Sequence, residues 1–353
     1  MSSQSKHSQT QHQRLYGDIL KGVSRSFYLT LRVLPVAVRE PIALAYLLAR
    51  AADTLADTTV MPSDQRLVQL HKFKAFVAQP DSAGDCADIQ SALQGQLENQ
   101  NEQELLALLP QLFAQLVMQS EQDQGLIRQV VATLTDGMVF DLDSFPAEES
   151  GEIKSLQLQD ELDQYTYMVA GCVGEFWTQV SMTHVAALSH WDSNRLTGLG
   201  VQFGQGLQMT NILRDLPRDL RIGRCYLPQA WLDQHQLNIE QLLDKSNSEV
   251  AKPLLQQGVR LALHRFQAAR HYVLAIPRHC IRLRLAALWP LMIGLGTLER
   301  LSASDHWLDV DTSIKVDRQW VYKMIFKSLL MVGSNTLLRS WIEAEIKKSV
   351  AAS

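Results

Sequence analysis

Residues 42–58 read IALAYLLARAADTLADT. Alanine and leucine, both strong helix formers, dominate the stretch, and nothing in it alternates with the period of two that a strand requires. It predicts a helix, and Asp53 and Asp57, four residues apart, fall on one face of it. Two like charges at that spacing repel, so a bare helix gains nothing from them. A cation between them converts the repulsion into binding. The competing reading of a lone D-x-x-x-D is a solvated acidic face. The apolar flanks argue against it here, because carboxylates on such a helix need a partner or a watery cleft.

The same helical pattern extends in both directions. Segments 12–33, 38–59, 62–78, 88–98, 102–119, 122–143, 158–187, 193–217, 228–235, 248–275, 278–302 and 318–348 all read as helices. Breaks fall at Leu34-Pro35, Pro62-Ser63, Gln79 to Gly84, Phe145 to Gly151 and Ser304 to Ser313. No fixed-period repeat and no long flexible linker interrupts this. The expectation is an all-α fold, one helical-bundle domain over 13–348 behind a disordered tail at 1–12.

Composition narrows the function classes. Of 353 residues, 46% are hydrophobic and 20% charged, which is ample for a large core. The formal net charge of −4 lacks the basic excess of a nucleic-acid binder. Cys86, Cys172, Cys225 and Cys280 are scattered, without a C-x-x-C pair, so neither zinc nor a disulfide framework is expected. The opening MSSQSKHSQTQHQ has no apolar signal core. The longest apolar run, Leu285 to Gly296, has about 12 residues against the ~20 of a membrane span and reads as a buried core helix. The expected location is cytoplasmic, at most peripheral to the inner face of a membrane.

A second acidic stripe answers the first. In QMTNILRDLPRDL (208–220), Asn211, Asp215 and Asp219 fall at successive i+4 positions, with Gln208 three residues before Asn211. Oxygen ligands without His or Cys suit Mg²⁺, which works through a few carboxylates plus substrate phosphates. Two such stripes facing each other across a bundle would let metal ions bridge them to a diphosphate and neutralise charge on its departure. Pro217, inside the pair, predicts a kink or an end to the helix.

At this point the residues resemble a known family. VSRSFYLTLRVLP (23–35), AYLLARAADTLADT (45–58), YTYMVAGCVGEFW (165–177) and GLQMTNILRDLPRDLRIGRCYLPQAW (206–231) are similar to the squalene/phytoene synthases, in that family's order. The resemblance runs from about residue 20 past residue 300 and implies the isoprenoid synthase fold, a helical bundle around a central apolar cavity. It implies metal ligation by Asp53, Asp57, Asn211, Asp215 and Asp219. It implies substrate diphosphate contacts from Ser24, Arg25, Ser26, Phe27, Tyr46, Arg50, Gln208, Arg214 and Arg224, and carbocation chemistry at Tyr165. The tyrosines and arginines also have blander readings as satisfied core hydroxyls and structural partners of the aspartates.

The C-terminal IPRHCIRLRLAALWPLMIGLGTLERL (276–301) looks more like the squalene-forming members than the phytoene-forming ones. Those implied enzymes are transferases of isoprenoid (sterol or hopanoid) biosynthesis. They join two farnesyl diphosphates head to head through presqualene diphosphate, with Mg²⁺, and reduce the product with NADPH. Phytoene or dehydrosqualene formation without reduction is the enzymatic alternative, and a non-catalytic helical assembly factor the alternative from another class. Two features depart from the eukaryotic pattern: Ala56 and Arg218 stand where those enzymes have acidic residues, and the closing KKSVAAS offers no apolar anchor. The glycines Gly198, Gly200 and Gly204 only approximate a dinucleotide loop and read as close helix packing. The C-terminal segment 318–346 carries Trp320, Met324, Leu329, Leu330, Leu337 and Trp341 on an apolar face that is expected to dock on the core, a membrane contact being the other reading.

Overall fold

The computed structural model describes residues 13–24, 27–80, 86–93, 97 and 99–352. The tail at 1–12, Arg25, Ser26 and the side chain of Phe27 lie outside the described residues. The chain divides into two compact units. One holds the residues through Val139 together with Thr183–Val185; the other holds Phe140–Met182 and Ala186 onward.

The first unit is built on helix α1 (Val36–Asp57), which packs on α2 (Ser63–Ala78), α3 (Gln100–Ala107) and α4 (Leu109–Val117). Pro35 precedes α1, and Thr58 ends it in an extended conformation. Leu44, Leu47, Leu48, Ala51 and Leu55 are fully buried, as are Phe73 and Leu112 of the neighbouring helices. Each large apolar side chain removed from water contributes about 1.5–3 kcal/mol, so the aspartate-bearing turn rests on a firm base. The expected helix 102–119 is two helices, because Pro110 restarts the chain beyond Leu108. Helix α5 (Glu121–Ser144) follows, its last turn belonging to the second unit.

The second unit is organised around α8 (Ser193–Asp219), preceded by α6 (Gln159–Thr166) and α7 (Cys172–His184). A π-helical turn, Tyr167–Gly171, joins α6 to α7 inside the expected 158–187 helix. Asp192 caps α8, its carboxylate accepting from the Arg195 amide at 3.1 Å. A Cβ on Gly204 would come within 2.1 Å of the Ala170 carbonyl oxygen, and one on Gly200 within 2.6 Å of the Gly174 oxygen. These two glycines let α8 approach backbone to backbone, as expected, whereas Gly198 faces open space. On its other side α8 packs against α9 (Lys252–Ala275) and α10 (Ile281–Ser302).

The expected kink at Pro217 does not displace Asp219, which keeps helical angles (φ −62°, ψ −39°) as the last residue of α8. A 3₁₀ turn, Leu220–Ile222, follows, and Gly223 at φ +84° turns the chain out of it. There a two-residue parallel ladder forms between β1 (Lys154–Ser155) and β2 (Arg224–Cys225), too short to carry a sequence signal.

Helix α10 is longer than its central apolar run suggested. By length and composition its 22 residues would suffice to cross a membrane, yet 72% of its most apolar window is buried within the protein. The segment 318–346 is two helices, α11 (Arg318–Met331) and α12 (Asn335–Ala352). Its expected single apolar face divides: Met324 and Trp341 are buried, while Leu329, Leu330 and Leu337 are exposed beside Tyr322 and Phe326.

Candidate active site

In the first unit the residues named from sequence gather at the end of α1. Arg50 ion-pairs with Asp53 and reaches Glu102 of α3 at 2.6 Å. Tyr46 donates to the Val23 carbonyl at 3.2 Å, tying the helix Leu20–Ser24 to α1. Ser24 is buried, and its hydroxyl donates to the Leu20 carbonyl one turn back. In this conformation that hydroxyl is directed to backbone. Asp57 is exposed, one turn beyond half-buried Asp53. Burial, then the charge of Asp57, pushes the Asp53 carboxyl up to about 6 against the pull of Arg50. Burial and a like-charged neighbour thus outweigh the one arginine that pairs with it.

The second unit holds the other stripe. Gln208, Asn211, Asp215 and Asp219 descend α8, and Asn211 Nδ2 lies 3.4 Å from Gln208 Oε1. Arg214 grips its neighbour Asp215 with two bonds, Nε to Oδ1 at 2.9 Å and Nη2 to Oδ2 at 2.5 Å. Burial, then Asp215, raises Asp219 to about 7, with Arg224 opposing.

Beside this stripe stands an aromatic cluster that sequence reasoning only half found. Tyr165 and Tyr226 stack with ring centroids 4.6 Å apart, and both hydroxyls donate to Asp141 Oδ2, at 3.2 and 3.0 Å. Phe140 flanks Tyr165 and Phe145 meets Tyr226 edge-on. Arg224 lies between Asp141 (3.8 Å) and Glu148 (3.3 Å). Burial, then Asp141, pushes the Tyr165 phenol well above its ordinary range, so it remains a neutral donor. Tyr226, Asp141, Glu148 and Glu102 were not singled out from sequence. Tyr226 lay in the quoted RCYLP, but a lone aromatic beside a proline carries no chemical signal.

The donor chemistry suits a hard cation. Both stripes present oxygen only, and both hold a carboxylate whose proton affinity is raised by burial and then by a like-charged neighbour. Among the described residues no group of three or more His, Cys, Asp or Glu forms a metal cage. Mg²⁺ retains water and takes one or two carboxylates plus phosphate oxygens, so a pair at a time fits it.

Residues 20–320 match the profile of the family described as squalene/phytoene synthase, and the chain belongs to that family. Its relatives include the bifunctional lycopene cyclase/phytoene synthase of Gibberella fujikuroi, 27% identical over 266 residues, 73% of this chain and 42% of the relative. Human squalene synthase is 25% identical over 252 residues, 69% of this chain and 53% of the relative. The chain thus spans from about two fifths to half the length of these relatives. Among solved structures, TcSQS with the ligand BPH1237 superimposes with a TM-score of 0.73 at 21% identity, covering 97% of this chain and 98% of that one. A dehydrosqualene synthase gives 0.61 at 18% identity, covering 91% and 97%. At such identities the likeness shows the fold, and the expected all-helical isoprenoid synthase class is borne out.

Proposed function

We propose that the chain is a prenyl transferase of the squalene-forming type, condensing two farnesyl diphosphates head to head to presqualene diphosphate and then reducing it to squalene. The observation that carries the reading is the pair of under-neutralised carboxylates, Asp53 held at about 6 and Asp219 at about 7, each with a partner aspartate one turn away. Such sites favour a divalent cation and a phosphorylated ligand over an empty state. The family match crosses both compact units, which supports treating 13–348 as one synthase domain.

Mg²⁺, held by Asp53 and Asp57 and by Asn211, Asp215 and Asp219, would supply positive charge to the departing diphosphate. Arg50, Arg214 and Arg224 would orient diphosphate oxygens, exchanging their present carboxylate partners for phosphate. The stacked Tyr165 and Tyr226 rings, backed by Phe140 and Phe145, would form an aromatic wall beside a cation, while Asp141 fixes their hydroxyls. A neutral Tyr165 would steer a carbocation, and with its proton held so firmly it is a poor base. NADPH would be the reductant of the second half-reaction. The glycines of GLGVQFG all lie inside α8, Gly200 and Gly204 against backbone, and make no dinucleotide loop, so no residue is assigned to it.

Phytoene or dehydrosqualene synthesis is the second reading, favoured by the phytoene synthase relatives. Incubation with farnesyl or geranylgeranyl diphosphate, with and without NADPH, followed by identification of the hydrocarbon, separates the two. A product unchanged by NADPH refutes squalene formation. Absence of Mg²⁺-dependent diphosphate release would instead favour a non-catalytic assembly role.

A further inference from the structure

The second unit carries another concentration of positive charge, away from the aspartate stripe on α8. A solvent-open cavity of about 540 Å³ is lined by His190, Ala275, Pro277, Arg278, His279 and Asn335 among others. Helix α12 begins at Asn335, and α10 begins two residues beyond His279. Two helices, of 18 and 22 residues, therefore start at its rim, each bringing the partial positive charge of an N-terminus, although at α12 the Ser334 hydroxyl already accepts from the Leu337 amide at 3.3 Å.

Behind Asn335 lies Arg284, whose side chain is fully buried. Its Nη2 donates to Asn335 Oδ1 at 2.5 Å, while Nε and Nη1 are buried without a hydrogen-bond partner. Burial, then the like charge of Arg278, disfavours its positive charge. A buried guanidinium without a carboxylate is unfavourable unless an anion completes it. Leu274 and Ala275, at the end of α9, also line the cavity, and Trp191 Nε1 donates to the Ala275 carbonyl at 3.3 Å.

We propose that this cavity binds a phosphate-bearing anion, held by Arg278, the Asn335 amide and the helix N-termini. Arg284 acts behind the lining: by engaging Asn335 Oδ1 it turns the amide so that Nδ2 is left to donate to the ligand, and it adds charge of the right sign. The volume exceeds that of inorganic phosphate, and Ile276 and Pro277 add apolar wall, which suits a phosphate monoester on an organic group. This inference does not rest on the reaction proposed above.

The test is calorimetric titration of the full chain in EDTA, at matched ionic strength, with inorganic phosphate and with adenosine monophosphate. Wild type is expected to bind at least one of them saturably. Arg278→Ala, Asn335→Ala and Arg284→Met should each weaken binding at least fivefold, and Lys72→Ala, at an exposed ion pair of the first unit, should leave it unchanged. Arg278 is exposed, so its variant tests the site even if Arg284→Met fails to fold. Tighter binding of the nucleotide identifies an organic phosphate as the ligand; equal or weaker binding identifies the free anion. No saturable heat with either probe, or a loss smaller than fivefold in both Arg278→Ala and Asn335→Ala, overturns the proposal.

Discussion

Replacing Asp219 with asparagine should stabilise the metal-free protein while abolishing turnover. The carboxyl rises from an ordinary 3.8 to about 7 in the folded chain, because it is half-buried and faces Asp215. A folded state that binds the proton more tightly than the unfolded one is at full stability below the unfolded value and loses it as pH climbs through the folded one. At ~1.4 kcal/mol per tenfold in proton affinity, ionised Asp219 costs the fold up to about 4 kcal/mol above pH 7. Water reaching a half-buried group reduces this to roughly 2–3 kcal/mol. Asparagine keeps the shape without the charge. With an unfolding entropy of ~2 cal/mol/K per residue, that gain corresponds to about 3–4 °C in Tm. Differential scanning fluorimetry in EDTA at pH 8 should show the rise, and at pH 5.5 the difference should fall by roughly half, because wild-type Asp219 is then largely protonated when folded. Added Mg²⁺ should stabilise wild type more than the variant. A variant Tm at or below wild type at pH 8 in EDTA would refute the buried-charge argument, and full retained activity would refute the role in ionisation.

Gly204→Ala should cost about 1–3 kcal/mol by overpacking against the Ala170 carbonyl, whereas Gly198→Ala, facing open space, should be neutral or stabilising; denaturant midpoints check the contrast. Tyr226→Phe removes a 3.0 Å bond to Asp141 and should lower stability by about 0.5–1.5 kcal/mol. It should also change the hydrocarbon product ratio more than the KM for prenyl diphosphate; an unaltered ratio would separate Tyr226 from the cation. We also propose that exposed Tyr322, Phe326, Leu329 and Leu330, with Lys323 beside them, meet an anionic bilayer. The double variant Phe326→Glu, Leu330→Glu should then lose most sedimentation with phosphatidylserine vesicles at unchanged Tm, and equal sedimentation of both proteins counts against the contact.

The helical fold was readable because nearly every long segment repeats apolar residues at helical spacing, and the structure keeps those segments. What escaped was set by backbone chemistry at single residues: Pro110 divides one helix, and the chain between Thr166 and Cys172 adopts a π turn that no periodicity distinguishes from an α turn. Pro217 misled in the other direction. It removes one amide hydrogen bond two residues before α8 ends, where the helix has little further ladder to lose.

The aspartates themselves were legible because identical charges one turn apart are a local oddity that a short window exposes. Asp141 was not, because its meaning comes from Tyr165 and Tyr226, 24 and 85 positions away, whose hydroxyls it gathers. Its charge nonetheless helps to raise both Tyr165, after burial, and, to a lesser degree than burial and Asp215, Asp219. One carboxylate thus keeps a neighbouring acid short of positive charge and a neighbouring phenol protonated. On the function proposed above, a site that attracts a cation while holding an unreactive aromatic wall needs both effects, and the half-buried Asp141 contributes to the two together.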